Sequence, residues 1–128
     1  MTNRILVVED NDLNRKLFCD VLQASGFSVE PVSDGNRAIE AARAFDPNLV
    51  VMDIQLADVS GLDLIATLKH DAELAAVPVL AVTAYAGKGD EERIRQSGAE
   101  GYLSKPVSIG PFMAAVRGLI SGGTAAAA

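Results

Sequence analysis

The chain has 128 residues, 49% of them apolar and 22% charged, which is enough for one domain with its own core. Seventeen acidic against eleven basic residues give a net charge of −6, which argues against binding to the phosphate backbone of nucleic acids. A single cysteine excludes a disulfide framework and a zinc–cysteine cluster. The sequence has neither a signal-peptide pattern nor the roughly 18 apolar residues of a membrane span. We therefore expect a cytoplasmic monomer that neither enters a membrane nor binds nucleic acid.

The first half of the chain alternates short apolar runs with segments of helical periodicity. The first predicted strand begins at Ile5, and Gly26 stands where the following helix would end. That helix is predicted from apolar residues at helical spacing, namely Leu13, Leu17, Phe18, Val21 and Leu22. The second strand covers residues 27–32, and a second helix runs from Asp34 to Phe45 before Pro47 stops it.

The second half of the chain continues the same alternation. The third and fourth strands begin at Leu49 and Val77, and like the first they show no alternation of apolar and polar residues. Such runs are typical of strands buried on both faces of a parallel sheet. Apolar residues at helical spacing predict a third and a fifth helix, namely Leu62, Ile65, Leu68, Phe112, Met113, Val116, Leu119 and Ile120. The fourth helix, residues 88–95, has six charges and only Ile94 for the core.

A fifth strand at residues 101–103 completes five β/α repeats within residues 1–121. This pattern predicts one α/β domain with a doubly wound, five-stranded parallel sheet. Residues 122–128 fall outside the pattern, and we expect a disordered C-terminal tail there.

Polar residues follow four of the predicted strands. Glu9 and Asp10 follow the first, Asp53 the third, Thr83 the fourth and Lys105 the fifth. Because the carboxyl ends of parallel strands meet at one edge of a sheet, we expect these side chains to lie together. Asp10 taken alone would also suit the N-cap of a helix.

Three clustered carboxylates favour a metal site. At about 5 Å apart they would repel by about 3 kcal/mol per pair at an effective dielectric constant of about 20. A domain with about 5–15 kcal/mol of stability would not retain this cluster without a cation. Oxygen ligands predict Mg²⁺, with Mn²⁺ as a second possibility. A metal, a free carboxylate, a lysine and a threonine hydroxyl are together the groups that phosphoryl transfer requires.

Four motifs resemble those of the receiver domain of two-component response regulators, the CheY-like family. They are Val8-Glu9-Asp10-Asn11, Asp53 with Gly61, Thr83-Ala84 and Lys105-Pro106, and the resemblance covers residues 3–121. It implies a flavodoxin-like strand order of 2-1-3-4-5. Residues 88–95 are similar to the corresponding stretch of single-domain receivers that act in cell-cycle control.

The resemblance implies a role for each residue of the acidic edge. Asp53 would accept a phosphoryl group. Asp10, Asp53 and the backbone carbonyl of Gln55 would hold Mg²⁺, and Glu9 would act through metal-bound water. Lys105 would contact a phosphoryl oxygen.

The resemblance also implies a conformational switch. The hydroxyl of Thr83 would move towards the phosphoryl group while the ring of Tyr102 turns inward. The peptide bond between Lys105 and Pro106 would be cis. The family usually has proline four residues after the acceptor, where this chain has Ala57, so we expect a looser loop there.

The implied function is signalling through protein contacts. The phosphoryl group would come from a sensor histidine kinase, which can also act as the phosphatase, or from a histidine phosphotransfer protein. A downstream signalling protein would bind the face built by the fourth helix, the fifth strand and the fifth helix. The candidate contacts there are Lys88, Asp90, Glu91, Glu92, Arg95 and Tyr102. Self-phosphorylation and autodephosphorylation, both requiring Mg²⁺, would be the only catalysis.

Three alternatives remain open from the sequence. The chain could be an adaptor that binds partners without phosphorylation. It could be an aspartyl-phosphate hydrolase, although those enzymes need a second acid where Gln55 stands. The charges of the fourth helix could simply form a solvated face, with Glu91 and Arg95 paired across one turn.

Overall fold

The computed structural model describes residues 3–84 and 88–121, apart from the side chain of Lys88. The predicted tail, residues 122–128, lies outside the described residues. Five parallel strands form one sheet in the order β2-β1-β3-β4-β5, which confirms the predicted fold and strand order. The strands are β1 (Arg4–Val8), β2 (Ser28–Val32), β3 (Leu49–Asp53), β4 (Val79–Thr83) and β5 (Gly101–Ser104). The helices are α1 (Asp12–Ala24), α2 (Ala38–Phe45), α3 (Gly61–His70), α4 (Lys88–Gln96) and α5 (Ile109–Ile120).

The sheet is buried on both faces, as the continuous apolar runs predicted. Alternate residues of β1, such as Leu6 and Ile5, belong to two different core clusters. The cluster of Leu6 lies under α2, α3 and α4, and the cluster of Ile5 lies under α1 and α5. None of the helices in the described part of the chain has the length and hydropathy to cross a membrane.

Helix α1 forms where the sequence predicted it, with a narrow buried face. Phe18 and Leu22 are buried, and the Phe18 ring stacks on Phe112 at a centroid distance of 4.9 Å. Leu13 and Leu17, however, are 80% and 40% exposed, so the predicted helix forms but does not bury all of its apolar residues. The reason is geometric, because at 3.6 residues per turn Leu13 and Leu17 form a row beside that of Phe18 and Leu22.

The ends of the helices follow local rules, with one difference from the prediction. A 3₁₀ turn (Gly35–Arg37) precedes α2, and Asp34 caps this turn by accepting a hydrogen bond from Asn36 N at 2.9 Å. The predicted helix from Asp34 is therefore wrong in its first turn. Gly26 has φ of +96°, which confirms the predicted end of the first helix, and Gly98, just after α4, has φ of +108°.

Candidate functional site

The structure brings the predicted polar residues to one edge of the sheet. Glu9 and Asp10 follow β1, Asp53 and Thr83 end β3 and β4, and Lys105 follows β5. One carboxylate oxygen from each of the three acids lies within 4.8 Å of the others. The sequence-based prediction of an acidic cluster at this edge is confirmed.

Lys105 places a positive charge within the acidic cluster. Its Nζ lies 3.0 Å from Glu9 Oε1 and 3.4 Å from Asp53 Oδ2, and its side chain is only 19% exposed. The backbone N of Lys105 donates to Thr83 O at 2.7 Å, and the peptide bond to Pro106 is cis. The sequence led us to expect that only a bound metal cation would offset the repulsion between the carboxylates. The ammonium group of Lys105 offsets part of it.

Glu9 is the most deeply buried acid of the cluster, at 1% exposure. Burial, sharing of a proton with Asp53 and the charge of Asp53 raise the pKa of Glu9 from 4.5 to about 7, against the opposing effects of Lys105 and the Asn11 N–H. Protonation of Glu9 near neutral pH is thus a second way in which the metal-free protein relieves the repulsion.

The two carboxylate oxygens of Glu9 differ in their surroundings. Its Oε2 accepts a hydrogen bond from Asn11 N at 3.1 Å. Among the described residues, its Oε1 accepts none, because Lys105 Nζ is close but outside hydrogen-bonding geometry. This oxygen has the ion pair with Lys105 but no well-aligned donor, and beside two further carboxylates it fits a hydrated hard cation such as Mg²⁺.

Asp10 connects the cluster to the loop between β3 and α3. Its Oδ2 accepts a hydrogen bond from Ala57 N at 2.7 Å. The N-cap of α1 is Asn11, whose side chain accepts from Asn14 N at 3.0 Å. The alternative in which Asp10 caps this helix is therefore wrong, and its carboxylate is directed to the site.

Ala57 has a function in this loop that the sequence did not reveal. The expectation of a looser loop considered only the loss of a proline ring. The backbone N–H of Ala57, which a proline would lack, ties the loop to Asp10. This hydrogen bond opposes the extra freedom that alanine gives the loop.

The main chain around Asp53 is fixed from two sides. Gln55 N donates to Asp53 Oδ1 at 3.0 Å. Helix α3 begins so close to β3 that a Cβ on Gly61 would lie 2.3 Å from Asp53 O and 2.6 Å from Ile54 Cα. Only glycine fits there, which gives a steric reason for Gly61 in the motif.

Two contacts at the site were missed by sequence reasoning. The side chain of Gln55 donates from Nε2 to Thr83 Oγ1 at 2.6 Å and accepts at Oε1 from Ala84 N at 2.7 Å. The guanidinium of Arg15 donates to the carbonyl oxygens of Glu9 and Asp10 at 3.1 and 3.4 Å. In both cases a long side chain extends to another segment of the chain, and no local sequence pattern predicts such a contact.

The predicted switch and partner residues lie on β4, β5 and α4. Thr83 is 1% exposed, and Tyr102 is half-buried against the cluster under α2, α3 and α4. On α4 only Ile94 is buried among the described side chains. The other described residues of the predicted face are exposed or half-buried, namely Asp90, Glu91, Glu92 and Arg95, while the side chain of Lys88 lies outside the described residues. Arg95 lies 3.5 Å from Glu91, so the predicted pair across one turn is confirmed.

Known proteins resemble this chain in sequence and in fold. A family model described as the response regulator receiver domain matches residues 5–117. The polar-differentiation response regulator DivK of Brucella ovis is 50% identical over 117 residues, which is 91% of this chain and 95% of that protein.

Solved structures show the same fold. The receiver domain of the sensor histidine kinase PA1611 from Pseudomonas aeruginosa, solved with a magnesium ion coordinated in its active site cleft, has a TM-score of 0.86. It is 29% identical, and the match covers 94% of this chain and 99% of that chain. A CheY-like receiver domain protein from Methanospirillum hungatei has a TM-score of 0.88 at 22% identity, covering 95% of this chain and 96% of that one.

Proposed function

This chain belongs to the response regulator receiver domain family, and from that premise we propose that Asp53 accepts a phosphoryl group from a phosphohistidine. The observation that carries the proposal is the geometry around this carboxylate. It is 2% exposed, with Oδ1 held by Gln55 N and Oδ2 3.4 Å from Lys105 Nζ. A fixed carboxylate beside a cation is arranged to attack phosphorus.

The proposed transfer forms a bond between an Asp53 oxygen and phosphorus while the bond from phosphorus to the histidine nitrogen breaks. The Lys105 ammonium stabilises the charge that develops on the phosphoryl oxygens. Glu9, Asp10, Asp53 and the backbone carbonyl of Gln55 would hold Mg²⁺ or Mn²⁺, which supplies further positive charge at the same oxygens.

We propose that catalysis is limited to the protein's own phosphorylation and slow dephosphorylation. Rapid hydrolysis would need a general base for the attacking water. The residue two positions after Asp53 is Gln55. Its carboxamide cannot act as a base, and it is hydrogen-bonded to Thr83 and Ala84. This contact is evidence against the hydrolase alternative.

Thr83 and Tyr102 are the proposed switch pair. Thr83 ends β4, the strand next to that of Asp53, and Tyr102 pairs with Ala81 across β4 and β5. Shifting a two-state equilibrium from 1:99 to 99:1 takes about 5.5 kcal/mol. A hydrogen bond from Thr83 to a phosphoryl oxygen supplies about 1.5–3 kcal/mol, so Lys105 and the packing of Tyr102 must supply the remainder.

The proposed partners approach from two sides. The phosphodonor, a sensor histidine kinase with its phosphatase activity or a histidine phosphotransfer protein, must reach Asp53. Exposed Leu13 and Ile109, in the first turns of α1 and α5, offer apolar contact at that edge of the sheet. A downstream signalling protein would bind the face of α4, β5 and α5, whose charged residues include Glu92.

We propose that this receiver is a cytoplasmic monomer, as the sequence led us to expect. Because its DivK relatives are named for polar differentiation, we propose a role in the control of cell polarity and the cell cycle.

The test is labelling with acetyl phosphate and magnesium, followed by intact-protein mass spectrometry. The wild type should gain one phosphoryl group, and Asp53→Asn should gain none because an amide cannot attack phosphorus. Asp58→Asn, at an exposed position in the same loop, is the matched control and should be labelled like the wild type. Labelling of Asp53→Asn would contradict the assignment, and a folded but unlabelled wild type would favour the adaptor alternative.

A further inference from the structure

The carboxamide of Gln55 bridges the loop after the phosphoacceptor strand and the end of β4. The N–H of Ala84 can only donate, so it fixes the carboxamide oxygen at 2.7 Å and directs the NH₂ group to Thr83. The hydroxyl of Thr83 therefore accepts this hydrogen bond, at 2.6 Å. We propose that these two hydrogen bonds, the Gln55 latch, hold Thr83 in its unphosphorylated position and so oppose the switch.

The geometry of Gln55 gives the latch its direction. Its backbone N–H is bonded to Asp53 Oδ1, so the base of the side chain is fixed relative to the phosphoacceptor. The carboxamide at the end of the side chain is hydrogen-bonded to Thr83 and Ala84, which lie in the segment that the proposed switch moves. The latch requires that these side-chain hydrogen bonds lengthen or break when Thr83 shifts towards Asp53. Gln55 is thus a positioning residue, and its role rests on the proposed function.

The latch also lies next to α4. Gln55 and Thr83 line a cavity of about 190 Å³ together with Arg93 and Ile94 of α4. If the Gln55 carboxamide is released from Thr83 and Ala84, the lining of this cavity, to which α4 contributes, changes. The latch therefore connects the phosphoacceptor loop with the proposed partner face.

The test replaces Gln55 by methionine, which keeps the length of the side chain and the backbone carbonyl but removes both side-chain hydrogen bonds. The Mg²⁺ affinity of each protein is measured first. The affinity for beryllofluoride, a mimic of the phosphoryl group, is then measured by calorimetry at saturating Mg²⁺. The substitution removes the two latch hydrogen bonds, which are present only in the unphosphorylated state, and so destabilises that state alone. Gln55→Met should therefore bind beryllofluoride roughly five- to twentyfold more tightly than the wild type. Gln23→Met, at an exposed position on α1, is the matched control and should bind like the wild type.

Amide hydrogen exchange supplies a second readout. The Ala84 amide should exchange faster in Gln55→Met, and in the wild type it should exchange faster once beryllofluoride is bound. A merely structural role for Gln55 would lower the melting temperature and the beryllofluoride affinity together. The latch predicts instead that the affinity rises. If Gln55→Met does not fold, Gln55→Ala should show the same rise.

The outcomes separate the two proposals. If the wild type binds beryllofluoride and the Gln55 variant binds it equally or more weakly, the latch is overturned and the phosphoacceptor assignment stands. If the folded wild type does not bind beryllofluoride, the proposed function fails and the latch fails with it.

Discussion

Protons should compete with magnesium at Glu9. Burial and the proximity of Asp53 raise the pKa of Glu9 to about 7 in the metal-free protein. A carboxylate contributes to a metal site only when it is ionised, so protonation of Glu9 must weaken magnesium binding. We therefore expect the magnesium affinity to fall steeply just below neutral pH.

The size of the effect follows from the ionised fraction of Glu9. With a pKa of about 7, about 90% of Glu9 is ionised at pH 8 and about 3% at pH 5.5, so the affinity should fall about thirtyfold between them. A carboxyl with the ordinary value would cause a loss of only about 10% over this range. Calorimetric titration with Mg²⁺ across this pH range measures the change. Titration at pH 7 in buffers of different ionisation enthalpy should show release of about half a proton per metal ion.

The control for this prediction is Glu9→Gln, which keeps the shape of the side chain but cannot titrate. It should bind Mg²⁺ more weakly, with a much flatter pH profile. A change of less than about threefold in the wild type, or an equally steep profile in Glu9→Gln, would refute the assignment of this titration to Glu9.

The same raised pKa should make the metal-free fold less stable as pH rises. Because the folded state holds the Glu9 proton more tightly than the unfolded state, the stabilisation is fully present below pH 4.5 and is lost as pH rises through about 7. The loss is at most about 3 kcal/mol. In chelator, unfolding in denaturant should become easier from pH 5 to pH 7.5, and Mg²⁺ should reverse this at the higher pH.

Three further substitutions test other parts of the site. Ala57→Pro removes the N–H that donates to the Asp10 carboxylate. Although proline stiffens the chain, the free energy of unfolding measured with denaturant should fall by about 1 kcal/mol. A rise in the free energy of unfolding would contradict this. Gly61→Ala should cost about 1–3 kcal/mol in the same assay, because its Cβ has no space, whereas Gly118→Ala on α5 meets nothing within 4 Å and should not destabilise. Thr83→Ala should still be labelled by acetyl phosphate, but beryllofluoride should no longer shift the NMR signals of the Tyr102 ring; an unchanged shift would remove Thr83 from the switch.

The fold and the acidic edge could be predicted because each depends on a local pattern. Continuous apolar runs specify parallel strands, and the residue after each run then falls at one edge of the sheet. Asp53 and Lys105 are therefore placed together by topology, without knowledge of any contact.

The details that were missed depend on tertiary contacts. Leu13 and Leu17 have the periodicity of a buried helix face, and only the position of α1 on the sheet decides which row is covered. The contacts of Gln55 with Thr83 depend on how far one side chain reaches across a loop. The periodicity of apolar residues in a helix or strand does not predict a hydrogen bond between side chains of different segments.

The anchoring of α4 by Ile94 has a consequence for how this protein could diverge. A helix whose described side chains are otherwise exposed or half-buried can exchange them at little cost in stability, since surface substitutions usually change it by less than about 0.5 kcal/mol. The acidic edge, by contrast, consists of buried and half-buried groups that depend on one another. After gene duplication, a copy could acquire a new partner through α4 while keeping the same phosphoryl chemistry, and crosstalk between the copies could be reduced one surface residue at a time.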